Sequence, residues 1–453
     1  MKPQTRLLVL IAAGCTAAAV VLWRIGEGPA PIPQLSPRSD RTGAQGEFLN
    51  AQRAAGYYTE EIRKHPASPA NYVQLAQLFQ QEARVTGKHH EYIPKAFWLL
   101  DQALKVAPGD FDATATKASL LMTLHRFGEA RVFAQQAITG SRRSAFARGV
   151  MCDALVELGL YDLAVKECDT MLAIRPDIRS YARASYLREI HGDIAGARRA
   201  MEAAADAGMF GQENRAWALY ALGVLYLQSG KPDTAEYIFK GILEERPDYP
   251  FALSGMARAE YFRGNTDEAL RLLTRAAEIT PDHIYLEQIA DIERSTGRVR
   301  EAGGVAKIVL ASFEQHENDG WNIDREYALF CANHGINAAE SLRRARREYD
   351  RRPDNIDALD TYAWVLYKNG DAAGALPLIE RALRLNTQSP DMLFHAAMIY
   401  RANGNHALEQ SRMRGAMSAS PSVNPLYSGE IRSAVSRDLA FDGERHPIQG
   451  DRQ

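Results

Sequence analysis

"LYALGVLYLQSGKPDTAEYIFKGILEERP", residues 219–247, decides how this chain folds. Leu219, Leu222 and Tyr226 recur at spacings of three and four, the period of one helical face. Gly230 follows them, and glycine is the residue that most readily ends a helix in the left-handed region. Ala235 and Phe239 then share a face of a second helix. Pro247 stops it, because proline cannot continue a helix interior. Gly223 on the first helix and Ala235 on the second are small, so the two can lie close together. The next stretch, "GNTDEALRLLTRAAEITPD" at 264–282, has the same second half: a turn glycine, a helix and a Thr280-Pro281 stop.

The stops are periodic. Pro247 and Pro281 stand 34 residues apart; Pro108 and Pro176 stand 68 apart, as do Pro353 and Pro421. A period of this length marks stacked helix pairs. Leu219-x-x-Leu222-Gly223-x-x-Tyr226, Ala235-x-x-x-Phe239 and Pro247 resemble the tetratricopeptide repeat, with Leu219 where that repeat has tryptophan. The small pairs recur as Ala76 and Ala96, Ala118 and Ala130, Ala257 and Ala269, and Ala363 and Ala375. The expected fold is all-α: a right-handed α-solenoid of about ten helix pairs over 47–440. Repeats are placed at 69–110, 111–144, 145–178, 178–212, 216–249, 250–283, 283–316, 321–355, 356–389 and 390–423. The first is longer by eight, near "ARVTGKHHEY", between its helices. Helices at 47–64 and 425–440 are expected to cover the open ends.

The N-terminus reads differently. "LLVLIAAGCTAAAVVLW", Leu7–Trp23, has no charge and is 17 residues long, near the lower limit for crossing a bilayer. Lys2 and Arg6 before it favour an inside N-terminus. Residues 1–24 are therefore expected to be a single-pass membrane anchor, with the repeats on the periplasmic side of a cell membrane. A cleaved signal, giving a secreted chain, and a lipoprotein built on Cys15 are the alternatives. Residues 25–46, rich in proline and glycine, read as a flexible linker, and 441–453 as a disordered tail.

The charge balance excludes one large class. Lys plus Arg number 54 and Asp plus Glu 56, so the net charge is −2 and no basic footprint for nucleic acid exists. No GxSxG, HExxH or phosphate loop appears, so no enzyme activity and no cofactor are expected. His89-His90 lack a third ligand at recognisable spacing; they read as a solvated loop, not a metal site. Cys152 and Cys168 fall on facing helices and read as buried thiols, with a disulfide as the alternative.

In arrays of this kind the first helices line the concave face, with repeat positions 2, 5, 9, 12 and 13 turned inward. Carried over by register, that face presents Trp217, Tyr220, Tyr261, Phe262, Trp364, Tyr367, Phe394 and Met398, with Arg179, Arg258, Arg294 and Arg325. Aromatics with arginines suit a protein or peptide partner. The Lys/Asn set that clamps a C-terminal carboxylate in chaperone-binding relatives is missing. The chain as a whole also resembles bacterial exported tetratricopeptide proteins, through "HRFGEA" (125–130), "YLREIHGD" (186–193), "DTYAWVLYKNG" (360–370) and "FHAAMIY" (394–400). That resemblance implies an envelope location and a binding role. The expected function is a non-catalytic interaction scaffold of the cell envelope; the alternative is an accessory subunit of an envelope enzyme or of a polysaccharide or protein export machine.

Overall fold

The computed structural model describes residues 31–38, 45–419, 423–431 and 433–434. The chain divides into two compact units, residues 1–36 and 37–453. In the first, the described residues 31–36 carry no helix or strand. The apolar segment 7–23 and the tail 441–453 lie outside the described residues. Among the described residues no helix is long and apolar enough to cross a membrane.

The second unit is helical throughout. It opens with α1 (Gln45–Lys64) and continues as ten helix pairs among the described residues. These are α2 (Pro69–Thr86) with α3 (His89–Val106), α4 (Phe111–Thr123) with α5 (Phe127–Gly140), and α6 (Ala145–Glu157) with α7 (Tyr161–Ile174). Then come α8 (Ile178–Ile190) with α9 (Ile194–Asp206), α10 (Glu213–Gln228) with α11 (Pro232–Glu245), and α12 (Pro250–Phe262) with α13 (Thr266–Ile279). The last four are α14 (His283–Ser295) with α15 (Val299–Asn318), α16 (Asp324–His334) with α17 (Ala338–Arg351), α18 (Ile356–Lys368) with α19 (Ala372–Ala382), and α20 (Pro390–Ala402) with α21 (His406–Ser418). The eight extra residues of the first repeat lengthen α2 and α3 and form no loop. Arg38, in the stretch expected to be a tether, donates to Glu82 of α2 at 2.8 Å.

Local chemistry sets the boundaries. Asp110, Ser144, Asp177, Asp193, Asn355, Asp371 and Asn405 cap their helices by accepting from the first-turn amides. Packing sets the pairs. The nine alanines at the predicted contact positions, from Ala76 to Ala375, are all 0% exposed. Where the expected alanine is absent, the register adjusts by one residue: Ser341, beside Glu340, is buried and its hydroxyl donates to Ala328 O at 2.8 Å.

First helices of neighbouring repeats touch along the array, α2 with α4, α4 with α6, α10 with α12 and α16 with α18, which puts them on the inside of the curve. The curve is tight enough that later repeats lie against earlier ones. Arg246 Nη2 donates to Glu47 Oε2 at 3.0 Å, His125 Nδ1 lies 3.0 Å from Asn322 O, and Ile356 N donates to the Tyr161 hydroxyl at 2.9 Å. These partners are 195 to 199 residues apart in the chain. At Gly159 the contact is backbone on backbone: its φ is +74°, and a Cβ would sit 2.3 Å from the carbonyl carbon of Asp354. Glycine serves both the left-handed turn and the close approach.

Candidate functional site

The inner face holds two distinct sites. The first is a cavity of about 1210 Å³ walled by the first helices of five successive repeats, α2, α4, α6, α8 and α10. Its lining includes Gln74, Gln77, Gln81, Arg84, Phe146, Asp153, Arg179, Arg183, Tyr186, Glu213 and Trp217. Inward polar side chains are held by their neighbours. Gln77 Nε2 donates to Thr116 Oγ1 at 3.0 Å and Gln80 Nε2 to Ser119 at 2.8 Å. Arg183 Nε donates to Asp153 Oδ1 at 2.8 Å. Arg84 pairs with Glu213 across the ring of repeats, and the Tyr249 hydroxyl donates to Glu213 Oε1 at 3.0 Å. The wall is thus amide-rich, with three aromatics and paired charges: chemistry for a polar chain with some apolar side groups.

The second site lies farther along the array, and residues 423–431 occupy it. Asn424 N donates to Asp391 Oδ1 at 2.8 Å, and Asn424 Nδ2 donates to Asp291 Oδ2 at 2.8 Å. The Tyr427 ring stacks on Phe394 with centroids 4.2 Å apart and meets Trp364 edge-on at 5.8 Å. Its hydroxyl donates to Asn333 Oδ1 at 2.9 Å and lies 2.8 Å from His395 Nε2. Trp364 Nε1 donates to the same Asn333 oxygen at 2.8 Å, and His395 Nδ1 lies 2.9 Å from Asp360. Burial pushes the Tyr427 phenol well above its ordinary value, so it stays a donor. Burial also raises the Asp391 carboxyl.

The residues picked out from sequence separate accordingly. Arg179 and Trp217 line the cavity. Trp364 and Phe394 flank Tyr427, Tyr367 stacks on Trp364 at 5.1 Å, and the Tyr261 hydroxyl lies 2.9 Å from Ser295 and 3.4 Å from Ser428. Arg258 Nε donates to Gln288 at 3.3 Å. Arg294 is exposed, and so is Phe262, at 46%. Tyr220 packs against Phe239 and Phe251 between helices. Burial disfavours the Arg325 charge, yet Asp357, Glu326 and Glu157 around it hold its pKa above the ordinary value. The residues expected together on the concave face are therefore divided between the cavity, the segment 423–431 and the packing between helices.

Two corrections follow. His89 is not on a solvated loop. It is the first residue of α3 and its ring meets Trp321 edge-on at 5.3 Å, while His90 is exposed. Repeat register could not show this, because Trp321 comes from seven repeats later. The second concerns how the helix expected at 425–440 begins: the 3₁₀ turn Pro425–Tyr427 is folded into the groove, and α-helix follows at 428–431 and 433–434. Sequence reading also passed over Asp291, Asn333, Asp360 and Asp391. All four stand at inward repeat positions, so the register that singled out the aromatics would have found them. Among the described residues no group of His, Cys, Asp and Glu could hold a metal ion. Cys152 and Cys168 are free, buried thiols.

Residues 226–290 match one tetratricopeptide repeat model, and residues 181–250 and 361–409 match a second. The chain is similar to the protein CTR9 homolog of Arabidopsis thaliana, 27% identical over 191 residues, which are 40% of this chain and 17% of that protein. It is also similar to the solved structure of PilW, described as a widely conserved type IV pilus biogenesis factor. The identity there is 17%, covering 45% of this chain and 94% of that one, with a TM-score of 0.38. A human IFIT1 dimer solved with PPP-AAAA is 12% identical, covering 83% of this chain and 88% of that one, with a TM-score of 0.45.

Proposed function

The chain is a tetratricopeptide-repeat protein, and from that premise we propose that it is a non-catalytic scaffold that holds a peptide segment of a partner in its groove. The observation that carries this reading is residues 423–431, a peptide segment already lying across the inner faces of α14, α16, α18 and α20. A groove that satisfies one segment's amides and buries its aromatic ring has the chemistry to take another. The cavity beside Arg179 and Trp217, about 1210 Å³, is large enough to take such a segment. We further propose that the scaffold works in the bacterial cell envelope, tethered by residues 7–23. The uncharged run Leu7–Trp23 behind Lys2 and Arg6 supports that placement.

Site-specific photo-crosslinking tests the binding face. A photoreactive residue replacing Trp217 should trap one protein from detergent-solubilised membranes. The same residue replacing Tyr237, which is 80% exposed on a second helix, should trap none. Equal trapping at Tyr237 would move binding to the outer face and end the groove reading. A reporter active only after export, fused at about residue 445, should be active and sediment with membranes; an inactive, soluble fusion would end the envelope placement.

A further inference from the structure

A segment that only closed the end of an array would touch the last repeat. This one reaches Asp291, 133 residues upstream of Asn424. Two of its side chains make the contacts. Asn424 gives its backbone N–H to Asp391 and its side-chain amide to Asp291, while its own Oδ1 accepts from Leu426 N at 2.9 Å. That last bond fixes a turn. It delivers Tyr427 three residues on, between Phe394 and Trp364, with only 5% of its surface exposed. The phenol then meets Asn333 and His395 together.

The walls are as specific as the occupant. Asp291 is 7% exposed and His395 is 1% exposed. A buried polar group left without a partner is penalised by its full desolvation cost. Asp291 Oδ1 already holds His334 Nε2 at 2.9 Å, so the site favours an occupant that offers an N–H to the other Asp291 oxygen, an N–H to Asp391 and a hydroxyl at the far end of a ring. An asparagine followed at the third place by a tyrosine meets that preference.

We propose that this part of the groove is a recognition site for protein segments carrying asparagine three residues ahead of tyrosine, that Asn424–Tyr427 fill it in cis, and that a partner segment of the same chemistry enters by displacing them. The proposal rests on the groove reading and names the partner's chemistry. The chain's own segment competes at the millimolar effective concentration typical of a short tether, so a free segment binds only when the internal one is weakened or outbid.

The test uses the full chain carrying Tyr427→Ala and a fluorescein-labelled peptide of sequence VNPLYSGEI, residues 423–431, read by fluorescence anisotropy. The variant should bind the peptide, and the parent chain at least about tenfold more weakly. A peptide with alanine in place of its tyrosine should bind the variant about thirtyfold more weakly, the loss of a central anchor. No binding by a variant of parental helical content would overturn the proposal, and so would equal binding of both peptides. Should Tyr427→Ala not fold, a protease site inserted after Ala419 in the full chain, cut after folding, gives the same reading. The cut segment should exchange with labelled peptide; a segment that never exchanges is a fixed part of the core, and the proposal fails. Trp217 lies in the other cavity, so peptide binding without a crosslink there would leave this site standing and remove only the partner's place at that cavity.

Discussion

Phe239 shows what single residues do in this array. Its ring is 0% exposed and is gripped from two sides by glycines: a Cβ on Gly223 would come within 2.3 Å of it and one on Gly255 within 2.6 Å. Gly223→Ala forces that ring to move in a packed interior, where overpacking costs about 1–3 kcal/mol. Urea unfolding should show that loss, and an unchanged midpoint would mean the ring has room. The thiols make a second residue-level prediction. The neighbouring Cys168, together with burial, raises the Cys152 thiol, and burial pushes Cys331 up to about 11. The thiolate is the reactive form. In a Cys15→Ser background at pH 8, an aromatic disulfide reagent should therefore modify neither within the time that it modifies the guanidinium-unfolded chain. The neighbouring Cys168 thiol is lowered, so labelled sites are located by mass spectrometry; prompt modification of Cys152 or Cys331 in the folded state would show that thiol to be accessible.

At the level of the helix pair, the alanines carry the register. Ala269 on α13 is 0% exposed where α12 and α13 touch. Ala269→Leu should cost about 1–3 kcal/mol and Ala269→Ser less, read as melting temperature against the parent. A leucine variant melting with the parent would break the assigned register. This level was the most legible from sequence, and the reason is local. A turn glycine, a proline stop and two small residues per pair act within a few tens of residues, and each leaves a mark in the letters. Inward side chains were half legible. Register places Arg179, Trp217, Trp364 and Phe394 on first helices, but it cannot say which are already covered. Phe394 is covered by Tyr427, a residue 33 positions later whose turn no repeat pattern announces.

Over the whole repeat unit, stability depends on contacts between distant repeats. Ile356 N is buried and its bond goes to the Tyr161 hydroxyl, 195 residues away. Tyr161→Phe leaves that amide without a partner, at a cost of about 1–3 kcal/mol. Amide exchange at Ile356 should accelerate while amides within α10 and α11 keep their parental protection; unchanged exchange at Ile356 would deny the contact. The histidines between repeats add a pH dependence. Burial lowers His316 from 6.5 to about 4, with His283 and His89 beside it opposing its charge further. A depressed histidine stays neutral in the fold while the unfolded chain takes up a proton. Its contribution is therefore intact above pH 6.5 and is lost as pH falls from 6.5 to about 4. His89 is lowered as well, again by burial first, and acts in the same sense. His283, where burial is outweighed only by Glu287, Asp282 and Glu326 acting together, is raised and acts in the opposite sense. The melting temperature should drop between pH 7 and pH 4.5, and His316→Gln should make that drop smaller. An equal drop in both would remove His316 from the account.

The helix pairs, their order and their inward faces were set by the sequence alone, because they arise from forces that act between near neighbours: periodic burial, caps, turn glycines and small residues at contacts. Three things were decided only in three dimensions. They are the meeting of repeats some 195 residues apart, the closing of a cavity by Arg84 and Glu213, and the seating of Tyr427 among Trp364, Phe394 and His395. Each joins segments whose separation depends on small rotations summed over many repeats. A repeat's own letters specify each rotation too loosely for that sum to be read from the sequence.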